Sequence, residues 1–354
     1  MYSIYLWLIL YSFFLVMVTK KNKVISEVLG IVIIFTLTII IGFRYGVGVD
    51  YFAYEEAFHL YYNKFFFEPF YSFLNFYIKI TVGKFYYVTF IMILITNIFI
   101  YLALKKRNIS GIYLLLSLLI YSSNMALVFM NAMRQGVAVA IFLYASSFIK
   151  ERKFKNYLIL ILIGAGFHFS ILFMLPVYFL NRINISIKRY IFYIIISYLF
   201  VYTLLAQKLI NYISSLLPTR YSRYYNSEMF FLEEVNIFSI GVLIKVVLSI
   251  VLLILIVKSN KKNNNYTMET NFYMLGIIMT ILSLSTFMFD RIGYFFYIFE
   301  VLVIPLLIKE IENNQIRHVL FLLTLSIAVL FFIQNLFINA ELLQLEYQSI
   351  FDFK

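Results

Sequence analysis

The chain has no cysteine in 354 residues, and it has only 4 prolines, 12 glycines and one tryptophan. Without cysteine, disulfides and thiolate metal sites are excluded. Charge is scarce as well, at 13% of residues against 63% hydrophobic. A soluble domain of this size must turn most of its area to water and has no place for so much apolar surface. In a bilayer that surface meets lipid, and runs of about 20 apolar residues become spanning helices. The composition therefore predicts an all-α polytopic integral membrane protein, read as a single transmembrane domain over 1–354. Acidic residues are few, 17 against 29 basic, for a net charge of +12. The basic residues are scattered between apolar runs, so the excess reads as a membrane sidedness signal and no nucleic-acid partner is expected.

Apolar runs cover residues 2–18, 25–43, 85–104, 111–130, 135–149, 156–180, 190–206, 236–257, 271–289, 292–308 and 318–338. The first has no basic region before it and no small-residue cleavage site after it, so it reads as a retained span. Basic clusters separate the runs: Lys20, Lys21 and Lys23; Lys105 to Arg107; Lys150 to Lys155; and Lys258 to Lys262. The positive-inside rule assigns all of them to the cytoplasm. Run 156–180 tests that assignment, because as one span it would carry Arg182, Lys188 and Arg189 outside. Gly164 and Gly166 divide it into two limbs of about 12 residues, each about 18 Å long if helical. It is therefore read as a hairpin of re-entrant or short helices. The expected topology is about 10–12 transmembrane helices, both termini outside, and two larger extracytoplasmic segments near 44–84 and 207–235. Within the first, Phe65 to Ile80 is amphipathic and suits the membrane interface.

Basic residues outside are the informative ones. On this topology Arg44, Arg134, Arg220, Arg223 and Arg291 all lie at the outer face, where an anionic ligand would account for them. Snorkelling or pairing with acids such as Asp50 and Asp290 is the alternative. Arg134 stands in Asn131-Ala132-Met133-Arg134-Gln135-Gly136, at the expected start of an inward-running helix. The helix dipole and the guanidinium together suit an anion there. Asp50, Glu55 and Glu56 follow the bend Arg44-Tyr45-Gly46-Val47-Gly48-Val49 and are candidate general bases; a solvated loop is the plainer reading of the glutamates. His168, at the hairpin tip in Gly166-Phe167-His168-Phe169-Ser170, is costly in apolar surroundings unless it meets a polar cavity or a partner. Most aromatics, 20% of the chain, read as membrane belt. Tyr51, Tyr54, Gln135, Tyr224 and Tyr294 stand beside the candidate charges and are the expected sugar contacts. Glu55 and His59 are too weak a pair to predict a metal, and no metal or cofactor is expected.

These segments, Arg44 to Tyr54, Asn131 to Gln135, Phe167 to Ser170, Arg220-Tyr221-Ser222-Arg223-Tyr224-Tyr225 and Asp290-Arg291-Ile292-Gly293-Tyr294, in this order resemble the EpsG family of Wzy-like polysaccharide polymerases. The resemblance covers nearly the whole chain, with Val49 in place of the more usual small residue or Thr before the Asp. It implies a bacterial inner-membrane glycosyltransferase of capsule, exopolysaccharide or O-antigen assembly. Its substrate would be an undecaprenyl-pyrophosphate-linked oligosaccharide, and its partners membrane lipid, a flippase and a chain-length regulator of the same pathway. On that reading Arg44, Arg134, Arg291, Arg220 and Arg223 hold the pyrophosphate, and Asp50 or His168 is the base of a metal-independent, inverting transfer. A lipid-linked glycan ligase is the nearest alternative. A flippase or exporter is the different-class one, disfavoured because Lys245 and Glu300 are the only clear mid-span charges outside the hairpin and no internal repeat appears.

Overall fold

The computed structural model describes residues 22–60, 67–180, 186–205, 208–209, 212, 239–259, 267–286, 288–337 and 349–352. Among them the regular structure is helical, with no strand. In chain order the helices are α1 (Lys23–Gly42), α2 (Tyr51–Leu60), α3 (Pro69–Thr81), α4 (Tyr86–Lys106), α5 (Ile112–Ser123), α6 (Met125–Asn131) and α7 (Met133–Lys150). Then come α8 (Phe154–Ala165), a 3-10 segment (Phe169–Leu180), α9 (Ile187–Tyr202), α10 (Ile240–Ser259), α11 (Thr267–Leu282), α12 (Met288–Tyr297), α13 (Glu300–Glu310) and α14 (Asn314–Phe337). Run 2–18 and most of segment 207–235 lie outside the described residues; each of the other apolar runs falls on one or more of these helices.

Among the described residues, four helical stretches are long and apolar enough to cross a membrane: Lys23–Gly42, Tyr86–Lys106, Phe289–Glu310 and Asn314–Gln334. The pair α5 and α6, bent by 42°, makes a fifth, and shorter apolar helices occur at Phe154–Ala165, Phe169–Phe179, Ile240–Ile254 and Met268–Leu282. Large side chains such as Phe35 on α1, Phe192 on α9 and Val319 on α14 are exposed. On a soluble surface they would drive aggregation, whereas in a bilayer they face acyl chains. The protein is an all-α, multi-pass membrane protein.

The chain forms two compact units, residues 1–181 with 304–354, and residues 182–303. In the first, α7 is the central helix; nearly every residue from Met133 to Ile149 is buried. Lipid tails are as apolar as leucine, so packing and interhelical polar bonds must select helix partners here. Gly42 lets α1 meet α4 closely: a Cβ there would lie 2.9 Å from the Phe90 Cα. Next to it the Thr89 hydroxyl donates to the Gly42 carbonyl at 2.6 Å. Deeper, Asn97 Nδ2 donates to Thr38 Oγ1 at 2.9 Å and the Tyr121 hydroxyl donates to Asn97 Oδ1 at 2.7 Å, tying α1, α4 and α5 together. Such bonds contribute about 0.6 kcal/mol each in membranes.

One end of this unit collects the basic clusters. Lys105 pairs with Glu27 at 2.8 Å, Lys106 and Lys153 each with Glu151 at 2.7 Å, and Arg107 Nη2 donates to Ser146 Oγ at 2.7 Å. The two lysines hold the Glu151 carboxyl below its ordinary range, chiefly through their hydrogen bonds. Of the clusters that the positive-inside rule assigns to one side, those at 105–107 and 150–155 meet through these pairs, while Lys20, Lys21, Lys261 and Lys262 lie outside the described residues. The hairpin is present as well. Phe154 and Tyr157, opening α8, meet Tyr178 near the end of the 3-10 segment, and the Tyr157 hydroxyl donates to the Met174 carbonyl at 2.5 Å. Both limbs thus begin and end on one side, with the chain reversing at Gly166–His168.

In the second unit α9 packs on α11, and Tyr190 shares a 2.8 Å hydrogen bond with Ser249 of α10. Lys245 Nζ lies 4.4 Å from the centre of the Tyr297 ring. Gly276 permits α11 to touch the backbone of α12, since a Cβ there would fall 2.5 Å from Tyr297 N.

The cysteine-free sequence makes sidedness directly testable. Cysteines placed at Lys105 and Arg152 are expected to resist an impermeant maleimide in intact cells, while one at the exposed Val49 reacts. Labelling at all three positions without permeabilisation would overturn the topology.

Candidate functional site

At the end of the first unit opposite the basic clusters, four segments distant in sequence meet. The first is the bend after α1. Gly46 and Gly48 take positive φ, +64° and +101°, a region in which glycine alone carries no steric cost. The bend turns the chain so that Tyr51 N–H donates to the Gly48 carbonyl at 3.0 Å and α2 begins directly after Asp50. A Cβ on Gly48 would lie 2.2 Å from Asn131 Oδ1, so glycine also admits the Asn131 side chain from the end of α6. Asp50 is half-buried, and its carboxylate has no ion pair or hydrogen bond with any described residue.

Arg44 is 1% exposed, and its guanidinium is directed into backbone. Nε donates to the Val47 carbonyl at 3.0 Å, Nη1 to Ile41 at 2.7 Å and Nη2 to Met130 at 2.6 Å. It closes the C-terminal end of α1, where a cation suits the dipole, and ties the bend to α6. Ser349 and Ile350 lie alongside, with Ile350 N–H donating to the Phe43 carbonyl at 3.2 Å. The expectation that Arg44 grips pyrophosphate thus meets a residue engaged as a structural tie.

Arg134 is placed differently. The break at Ala132 ends α6 and starts α7, which leaves Arg134 in the first turn with its side chain 18% exposed. Its guanidinium carbon lies 4.3 Å from the centre of the Phe67 ring, 5.4 Å from Tyr54 and 5.5 Å from Tyr71. Nη1 pairs with Glu68 Oε2, and the buried Nε has no partner among the described residues. Ring faces around a guanidinium supply cation–π attraction and hold its plane.

Glu68 is the residue that the sequence reading passed over. It stands at the N-cap position of α3 without a side-chain bond to that helix, and Pro69 follows in the first helical position, where a missing N–H costs nothing. Its second oxygen, Oε1, accepts the Phe169 N–H at 3.3 Å. The hairpin tip reaches α3 a second time through the Gly166 carbonyl, which accepts from Phe70 N at 2.8 Å and Tyr71 N at 3.3 Å. Its signal was available: a carboxylate directly before a proline, inside a stretch otherwise apolar and aromatic. His168 follows at the tip, half-buried, with Nδ1 2.7 Å from Ser170 Oγ and accepting Ser170 N–H at 3.2 Å.

The family model that matches this sequence is that of the EpsG family, over residues 27–349. The chain belongs to the EpsG family. EpsG proteins are Wzy-like polysaccharide polymerases, and the match makes this chain a membrane protein of polysaccharide biosynthesis. No curated protein and no solved structure matches it.

Of the expected site residues in this EpsG chain, Asp50, Tyr54, Arg134 and His168 come to the same end of the first unit. Tyr51 is 2% exposed, its ring packed on Tyr45, Phe52 and Phe85, and Gln135 is 1% exposed within the bundle. Burial raises the Glu55 carboxyl above its ordinary range, with His59 opposing it. Arg291, exposed, and Tyr294 lie on α12 of the second unit. Arg220, Arg223 and Tyr224 lie outside the described residues.

The contrast between the two arginines generates a prediction. Arg44→Gln removes charge-assisted bonds to buried carbonyls, a loss on the order of 3 kcal/mol, and should lower thermal stability on size-exclusion chromatography. Arg134→Lys, which keeps a cation beside Glu68, should melt close to the parent. Equal destabilisation by both would contradict the distinction.

Proposed function

We propose that this chain polymerises lipid-linked saccharides, transferring a growing glycan from an undecaprenyl pyrophosphate carrier to the next unit at the outer face of a bacterial cytoplasmic membrane. The observation carrying this reading is Arg134, half-buried at the start of α7 and held by three aromatic rings. Among the described residues one carboxylate, Glu68, is paired with it. The N-termini of α3, α7 and the 3-10 segment lie around that pair, each adding partial positive charge. A diphosphate suits such a place: the guanidinium fork matches its oxygens, and charge on the leaving oxygen is stabilised as it develops.

In the reaction the acceptor's sugar hydroxyl attacks the anomeric carbon of the donor. The new carbon–oxygen bond forms as the bond to the diphosphate oxygen breaks, and that oxygen keeps the electron pair. Asp50, with no partner among the described residues, takes the hydroxyl proton. Direct displacement inverts the anomeric carbon. Arg44 positions the Asp50-bearing bend, and Tyr54 packs against the Arg134 side. The same chemistry serves the assembly of capsule, exopolysaccharide or O-antigen.

The test is the glycan made by a deletion strain carrying each variant. Arg134→Lys and Asp50→Asn, inserted at parental levels, are expected to cut polymer by about 10²-fold or more and to accumulate single repeat units on the lipid carrier. Full-length chains retained inside the cell would instead indicate an exporter. Undiminished polymer from Arg134→Lys would remove Arg134 from the leaving-group site.

A further inference from the structure

Phe43 closes α1, and the bend that carries Asp50 takes root there. The last carbonyls of a helix lack partners within it, and that of Phe43 accepts the Ile350 N–H at 3.2 Å from a segment distant in sequence. Beside it Arg44 and Ser349 pair as an antiparallel bridge. The segment keeps a shape of its own, since Phe351 N–H donates to Ser349 Oγ at 3.2 Å and Ile350–Asp352 form a 3-10 turn. Its Phe351 ring meets Phe43 edge-on, with centres 5.8 Å apart at 62°, and Phe43 in turn stacks on Phe90 of α4 at 4.7 Å and 16°. Phe351 is nonetheless 63% exposed, so burial of apolar surface accounts for little of this contact. What the segment does hold is backbone at the root of the bend.

From this arrangement we infer that Ser349–Asp352 is a positioning element of the site, which holds the root of the bend and thereby sets where the Asp50 carboxylate stands. The inference rests on the proposed polymerase reading, in which Asp50 takes the hydroxyl proton. The bend needs such a hold. Gly46 and Gly48, both at positive φ, belong to the residue type that gives up most conformational freedom on ordering. Arg44 ties one side of the bend through its guanidinium, to the carbonyls of Ile41, Val47 and Met130. Its backbone is held from another direction, by Ser349, so one residue is fixed at side chain and main chain together. A base must meet the hydroxyl at hydrogen-bond range, and a displacement of about 1 Å can cost on the order of 10²-fold in rate. The leaving-group end of the site is braced separately, by Glu68 between Arg134 and the hairpin tip. Ser349–Asp352 thus act on the base alone, through the bend.

The test reads the bend first without turnover. The chain has no cysteine, so Val49→Cys gives a single, exposed labelling position on the bend. A nitroxide there reports the order of the bend in full-length protein in nanodiscs. Ile350→Pro is the decisive variant. Residue 350 opens the 3-10 turn, and the fixed φ of proline suits the first position of a helical turn. The substitution therefore removes the N–H that reaches Phe43 and little else, while Ile350→Val keeps it. The nitroxide at 49 is expected to become mobile in Ile350→Pro, and polymer to fall by about tenfold or more. Ile350→Val should restore both, and the Pro variant should melt with the parent. If Ile350→Pro does not insert, Phe351→Ser, which takes an exposed ring off Phe43, serves with the same expectation. An unchanged nitroxide signal, or a mobile bend with parental polymer, would overturn the inference. So would equal loosening of a nitroxide carried by a separate Arg152→Cys protein, at the opposite end of the unit, which would mark a general loss of stability. A parent chain that makes no polymer would defeat the polymerase reading, while the nitroxide measurement still decides whether the segment holds the bend.

Discussion

The Glu68 carboxylate is the contact on which the rest of the site depends. Taking a carboxylate out of water costs several kcal/mol even after relaxation, and only well-formed bonds to the charge offset that cost. Glu68 is 7% exposed and uses its two oxygens on different partners, Arg134 from the start of α7 and Phe169 N–H from the hairpin tip. Residues 68, 134 and 169 are thereby fixed to one another although nothing in the covalent chain holds them close. Without this carboxylate a guanidinium buried among rings would be left alone, and the hairpin tip would lose one of its capping acceptors.

The two arginines closest to the bend show how one residue type takes different work from its surroundings. Arg44 is surrounded by the carbonyls of Ile41, Val47 and Met130, and its hydrogen-bonding capacity is directed to backbone. Arg134 has rings on its faces and one carboxylate at one end. The first arrangement stabilises a turn; the second keeps a cation near the surface in a place of low dielectric, where an arriving anion gains most from it. The sequence does not show this difference in full, because the Met130 carbonyl on Arg44 and the rings of Tyr54, Phe67 and Tyr71 on Arg134 come from segments distant along the chain.

Much of the architecture was legible because membrane insertion is a coarse constraint. Apolar runs gave the helices, and two of the basic clusters lie together at one end of the first unit, joined through the pair Lys106–Glu151. Gly164 and Gly166, with the basic residues that follow, gave the hairpin. The bend between α5 and α6 at Asn124 was not legible, since no proline or glycine marks it and its helices are held by burial in the bundle. Glu68 escaped notice for a related reason. A single acid in a long outer loop reads as solvated, and only the fold reveals that the loop returns α3 to the bundle and buries its cap. His168 was found from its cost in apolar surroundings, and the fold sets it at the hairpin tip beside Ser170.

The proposed reaction requires an anion to bind where Arg134 and Glu68 now meet. The most direct measurement is an experimental structure of the full chain in a nanodisc with a polyprenyl diphosphate bound. The expected result is the diphosphate within hydrogen-bond distance of the Arg134 guanidinium. A diphosphate held elsewhere, with Arg134 still closed on Glu68, would contradict it.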